Sequence, residues 1–195
     1  MEHIDPSMGW RLVTARLERT ENSRHRMMLD VVITHLKAEA SLHLEGLLVG
    51  LAETPEYHMW GSGRDTGPKG LPAIRQYYTE LVEARRGVLE YAIERIVVDD
   101  DCVVTEGFIR AYQTGAVARA FGYDVPKLDA TYLVSYRALV LWPFNQEGEL
   151  VGEDGYGAVD ATAFHEVKGG EIPNVFIGLF DESEYAQVGI GASQT

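Results

Sequence analysis

The stretch Thr131-Tyr132-Leu133-Val134-Ser135-Tyr136-Arg137-Ala138-Leu139-Val140-Leu141-Trp142-Pro143-Phe144 decides the fold. It is rich in β-branched and aromatic residues and reads as one long strand. If Val140 faces the interior, the period of two puts Tyr132, Val134, Tyr136, Ala138 and Trp142 on the same face. Working outward, Asn145-Gln146-Glu147-Gly148 turns the chain into a partner strand over 149–156, which directs Glu153 inward. Upstream, 89–98 and 102–113 read as two further strands separated by Asp99-Asp100-Asp101, and a Gly/Pro-containing loop around 122–127 precedes the long strand.

The first third follows a helical period instead. Asp5 or Ser7 stands where it can cap an amphipathic helix carrying Trp10, Val13 and Leu17. Asn22 or Ser23 offers a second cap. From residue 27 the apolar positions Met28, Val31, Val32, Leu36, Ala40, Leu44, Leu47, Leu48 and Leu51 keep a 3.6 period until Glu53-Thr54-Pro55 stop it, with a break near 41–43. A short strand over 56–60 runs into the turn-rich 61–70. Pro72 then sits in the first turn of a helix that continues over 73–84. Residues 164–167 and 175–180 are expected to add a short helix or edge strand, with a frayed tail after Tyr185.

Helices first and a meander of long strands after predict an α+β fold, with a cone-shaped, curved, mainly antiparallel sheet wrapped around a long helix. The chain is read as a single domain over 1–195. Its core spans about 23–160, and a helix at 5–20 and a segment at 161–195 extend it.

Composition narrows the function. Lys plus Arg number 17 against 30 Asp plus Glu, a formal charge of -13, which repels a phosphate backbone and an anionic bilayer. Nucleic acid and membrane are therefore not expected as partners. The apolar-leaning 42–52 stretch is interrupted by His43, Glu45 and two glycines and falls short of the roughly 20 residues a membrane span needs. Glu2, Asp5 and Pro6 stand where a secretory signal carries basic and apolar residues. The one cysteine, Cys102, rules out an internal disulfide and an all-cysteine metal cage. These features predict a cytoplasmic protein.

Two motifs carry a resemblance. The run Gly70-Leu71-Pro72-Ala73-Ile74-Arg75-Gln76-Tyr77-Tyr78, with its Gly-x-x-Ala-Ile-x-x-x-Tyr core, and the hairpin over 144–151 resemble the nuclear-transport-factor-2-like superfamily. The SnoaL-like branch, with polyketide cyclases, ketosteroid isomerases and limonene epoxide hydrolases, is the part resembled, over about 27–160. The resemblance implies a cystatin-like α+β barrel or cone with a deep apolar pocket, a homodimer formed through the outer sheet face, and no cofactor. It places His58 where the ketosteroid isomerases have their proton-shuttling carboxylate and His35 where they have an oxyanion-binding tyrosine. Val140 stands in place of their protonated aspartic acid, so that oxyanion hole is incomplete. The epoxide-hydrolase triad maps onto Gly107, Ile109 and Gly155 and is absent.

The expected pocket follows. Trp60, Phe108, Tyr136 and Trp142 wall a hollow for a flat hydrophobic ligand, with Tyr57, Glu106 and Val140 also lining it. Glu106, Phe108, Arg110 and Tyr112 face inward in one register of their strand, and a one-residue slip reverses all four. His58 is the expected proton acceptor, because a neutral imidazole suits proton removal next to a carbonyl. Glu153 is its acid or orienting partner, and Tyr136 and His35 polarise the substrate oxygen. His35, Glu39 and His43 recur every four residues on one helix face, but helical ligands of this kind need more from another element, and no metal is predicted. The predicted function is an isomerase, cyclase or dehydratase acting on a small hydrophobic carbonyl or polyketide-type compound. The alternative is a non-catalytic binding or protein-interaction module of the same fold.

Overall fold

Asn22 starts the helix around which the rest is arranged. In the computed structural model, which describes residues 4–60, 64–120, 122–157, 159 and 161–168, the Asn22 side chain accepts hydrogen bonds from the backbone N–H groups of Arg24 and His25. Two donors that a helix start leaves open are thereby satisfied. The helices are α1 (Met8–Glu18), α2 (Ser23–Ala40), α3 (Leu44–Leu48), α4 (Leu71–Glu83) and α5 (Gly115–Ala120). The break expected near 41–43 is present. Leu42 takes a positive φ of 54°, and His43 Nδ1 accepts the Gly46 N–H to begin α3. Arg24 fastens the start of α2 to the sheet by donating to the carbonyls of Asp100, Asn145 and Gln146.

The strands are β1 (His58–Met59), β2 (Leu89–Asp99), β3 (Cys102–Thr114), β4 (Thr131–Pro143), β5 (Asp154–Gly157) and β6 (Phe164–Glu166). They form one sheet in the order β1-β5-β4-β3-β2, with β6 on β4. The β1–β5 pair is parallel and the others are antiparallel. The fold is thus α+β with an open mixed sheet, in keeping with the expected curved, cone-like sheet around a long helix. Met28, Val32 and Leu36 of α2 bury themselves against Ile93, Val103, Ala138, Val140 and Trp142 of the sheet. Each such side chain contributes roughly 1.5–3 kcal/mol by leaving water. Helix α4 buries Ile74, Tyr78 and Leu81 against Ala38, Leu47 and Tyr57.

Register settles the question left open for β3. Val103, Thr105 and Gly107 are buried, whereas Phe108 is 41% exposed. Glu106 faces outward with it, bound to Arg95 and Arg137. Gly107 has no room for a side chain, because a Cβ there would lie 2.1 Å from the Ala92 carbonyl oxygen beside the bulge between Ile93 and Arg95. On the same outer face Val97 and Tyr156 are also exposed.

The strand expected over 149–156 forms only at its end. Leu150 and Val151 give their carbonyls to Ala52 and Glu56 N–H groups, while Leu150 bridges Phe144 and the Val151 N–H donates to the Pro143 carbonyl, so this segment ties the chain before β1 to the end of β4. Helix α5 lies in a stretch for which the sequence offered no element, and β6 realises the edge-strand reading of 164–167. The expected element at 175–180 and the tail lie outside the described residues. Among the described residues no helix is long and apolar enough to cross a membrane.

Candidate functional site

Buried polar groups concentrate where α2, α4, the chain before β1 and the chain before β5 meet. Tyr78, Tyr57 and His35 are almost fully buried. The Tyr78 hydroxyl lies 3.0 Å from His35 Nε2, 3.0 Å from the Tyr57 hydroxyl and 3.1 Å from Glu153 Oε2. A phenol has one proton and two lone pairs, and an ionised carboxylate only accepts. Tyr78 therefore donates to ionised Glu153, while the Tyr57 hydroxyl and the His35 Nε2–H fill its lone pairs. This count assigns His35 as the neutral Nε2–H tautomer, and its Nδ1 is left without a hydrogen-bond partner. Burial agrees, holding the imidazolium down to about 4.

Glu153 differs from that sealed floor. Its side chain keeps 24% of its surface accessible, and Glu39, Tyr77 and Tyr136 around it are likewise only partly buried. Half-open groups over a closed floor mark this place as the candidate recess. Desolvation is the leading influence on each of them. It raises Glu153 to about 7, against the opposing hydrogen bond from Tyr78 and aided by the neighbouring charge of Asp154. Glu39 is raised to about 8 by desolvation and then by the charge of Glu153, with Arg86 opposing. Ionising one of the two carboxyls disfavours ionising the other.

Some expected site residues meet here and others do not. Glu153 and His35 come together, His35 Nε2 lying 3.7 Å from Glu153 Oε2, and Tyr136 feels the charges of both Glu39 and Glu153. His35 does not reach the recess itself, since its Nε2 is engaged by Tyr78 and its side chain is 1% exposed. The side chains of His58 and Glu153 do not meet, although the His58 N–H donates to the Glu153 carbonyl. Alternation along the edge strand sends Tyr57 inward and His58 outward, where its Nδ1 lies 2.7 Å from Asp65 Oδ2 and its ring stacks parallel to Trp60. Asp65 is held well below the usual carboxylate range, first by Lys69 and then by the backbone N–H groups of Gly67 and Met59.

The expected walls divide in the same way. Trp60 and Phe108 are both 41% exposed, and Phe108 lies under the Arg137 guanidinium. With Glu106 on the outer face as well, these three do not line the recess. Trp142 is buried beneath it, donating Nε1–H to Thr105 Oγ1 and meeting the His35 ring edge-on. Val140 belongs to the apolar core, and Tyr57 is part of the floor. In the His35-Glu39-His43 stripe, His43 caps α3 and His35 binds Tyr78.

No protein-family model matches the chain, and no curated protein matches its sequence. Solved structures match its shape. A protein of Shewanella putrefaciens CN-32, described as a SnoaL-like polyketide cyclase, superposes with a TM-score of 0.57 at 12% identity, covering 84% of this chain and 93% of its own. The chain has the SnoaL-like fold. A second protein of that description, from Jannaschia sp. CCS1, gives a TM-score of 0.55 at 13% identity over 71% of this chain and 90% of its own. SalBIII, described as an epoxide hydrolase/cyclase-like enzyme in pyran ring formation in polyether salinomycin, gives 0.51 at 13% over 72% and 95%.

Within this SnoaL-like fold, sequence reasoning missed two residues. Tyr78 closes the Gly-x-x-Ala-Ile-x-x-x-Tyr motif, and its invitation was there to read, a polar tip on a helix face that otherwise buries Ile74 and Leu81. Glu39 was visible only as the middle of a His-Glu-His stripe. A carboxyl one turn after a buried histidine was the signal available.

Proposed function

We propose that this protein is an enzyme that isomerises, cyclises or dehydrates a small hydrophobic carbonyl or polyketide-type compound by general acid–base chemistry, working in the cytoplasm as a homodimer. The observation that carries this reading is Glu153, a partly accessible carboxyl in a desolvated recess with a buried phenol donating to it. Raised to about 7, it is ionised in part at neutral pH and basic enough to remove a proton next to a carbonyl. Tyr136 stands on the recess wall as a donor for the substrate oxygen. Tyr78, Tyr57 and His35 hold Glu153 in place and do not touch substrate. Proton transfer of this kind needs no cofactor. The names of the structural neighbours, polyketide cyclase and epoxide hydrolase/cyclase, support the substrate class. The exposed Val97, Phe108 and Tyr156 on the outer sheet face support the homodimer, which sedimentation velocity tests.

A flat uncharged ketone such as β-tetralone tests the chemistry without knowledge of the natural substrate. In deuterium oxide the protein is expected to speed loss of its α-proton signals, and Glu153→Gln is expected to slow that exchange by about 10²- to 10⁴-fold. β-Tetralone that binds without exchanging favours the non-catalytic module and overturns the enzyme reading.

A further inference from the structure

Glu39 lies on α2 one turn beyond His35, whose ring is 3.7 Å from Glu153. Residues four apart share a helix face, with Cβ atoms about 6 Å from each other. The Glu39 side chain is half-buried, and among the described residues it makes no hydrogen bond or ion pair. The titratable groups around it come from every neighbouring element. Glu153 precedes β5, Tyr77 and Tyr78 lie on α4, Arg86 follows α4, Tyr136 is on β4 and Tyr57 precedes β1. The Arg86 guanidinium lies 5.4 Å from the Tyr77 ring centre. A carboxyl with no hydrogen-bond or ion-pair partner among the described residues, in a recess that holds a second carboxyl, is placed to meet a ligand, and two such groups do not both ionise readily.

We infer that Glu39 is the acid partner of Glu153, keeping a proton while Glu153 is ionised, so that the recess takes an uncharged carbonyl compound and rejects a carboxylate. This rests on the reading of Glu153 as the base. As the substrate C–H bond breaks, Glu153 forms an O–H bond with the proton, and the electron pair moves to the carbonyl oxygen. That oxygen takes the proton of Glu39, whose O–H bond breaks, leaving an enol, a neutral Glu153 and an ionised Glu39. In the return step Glu153 gives its proton to a carbon of the enol system while Glu39 removes the hydroxyl proton. Both carboxyls are restored, and no oxidant or reductant enters.

The test is a carbon-13 NMR titration of protein labelled at its glutamate carboxyl carbons, with Glu39→Gln and Glu153→Gln assigning the two signals. Glu153→Gln is expected to lower the Glu39 midpoint by about one pH unit or more, because Glu39 then ionises with no charged neighbour, whereas Glu39→Gln is expected to leave the Glu153 midpoint nearly in place, because Glu153 ionises while Glu39 is still neutral. A Glu39 midpoint that does not move in Glu153→Gln overturns the inference. So does a wild-type Glu39 signal that titrates in the ordinary carboxylate range, which requires no variant to fold. In the β-tetralone assay Glu39→Gln is expected to lower kcat about tenfold with KM little changed, and the flat anion β-naphthoate is expected not to compete. Competition by β-naphthoate overturns the uncharged-ligand part. Linked midpoints without any exchange leave the shared proton standing and remove the base assignment alone, whereas exchange that depends on Glu153 with independent midpoints removes Glu39 alone.

Discussion

Tyr78 and Glu153 are joined by a 3.1 Å hydrogen bond behind which two further donors, from Tyr57 and His35, converge on the same phenol oxygen. Donors behind a hydroxyl polarise it and strengthen what it gives forward. Tyr78→Phe should remove the one hydrogen bond that opposes the upward displacement of Glu153. Its titration midpoint is expected to rise. The variant also strands two buried groups, so its unfolding free energy in urea is expected to fall by about 1–3 kcal/mol. An unchanged Glu153 midpoint would contradict this wiring.

Stability should depend on pH with a definite sign. The folded chain keeps Glu39 and Glu153 protonated up to about 8 and about 7, while the ordinary value is 4.5. Between 4.5 and 8 the folded state binds more protons than the unfolded one, so these groups stabilise at low pH and their contribution is lost as pH rises. His35 works the other way. Its folded value is depressed to about 4 from 6.5, so it favours the folded state increasingly as pH climbs to 6.5. Two carboxyls outweigh one imidazole below 6.5, and above it only the carboxyls act. Urea unfolding is expected to need less denaturant at pH 8.5 than at pH 5.5, and Glu39→Gln is expected to flatten that difference. A rise in stability toward pH 8.5 would refute the placement of both carboxyls.

His58→Gln separates the imidazole from the reaction. Because His58 turns outward to Asp65, the β-tetralone exchange rate should stay within about twofold of wild type. The His58–Asp65 contact is half-exposed and is expected to matter little to stability. A loss of exchange comparable to that of Glu153→Gln would return the base to His58.

Gly152→Ala probes the crossing that carries Glu153. A Cβ at 152 would lie 2.2 Å from the Glu56 carbonyl oxygen, an atom of rigid backbone. The two chains must part, at a cost of about 1–3 kcal/mol. With Tyr57 and Glu153 attached one to each chain, thermal unfolding should occur earlier and the Glu153 carboxyl signal should shift. Wild-type behaviour in both measurements would mean that the crossing yields elsewhere.

Much of the architecture was legible because strong periods report burial. The alternation of residues 131–144 placed Ala138, Val140 and Trp142 on the buried face, and the Asn22 cap and the break near 41–43 were written in local chemistry. β3 was ambiguous because each of its faces mixes polar and apolar residues. It is decided by contacts distant in sequence, namely Arg137 with Glu106 and the backbone approach at Gly107. The recess was legible in part. Glu153 followed from a strand direction, but the orientation of His58 depends on a two-residue strand whose register is set by β5, nearly a hundred residues away. Tyr78 was hidden because its partners lie on α2, before β1 and before β5, and no local pattern unites them.

The shortness of β1 leaves a chemical choice close at hand. Tyr57 and His58 are adjacent, and a strand's two sides are assigned by parity alone. Lengthening or shortening the preceding loop by one amino acid would trade a phenol for an imidazole inside the hollow, converting a fixed neutral scaffold into a titrating one without replacing any side chain. The groups that line such a hollow can therefore be altered by loop length as well as by substitution.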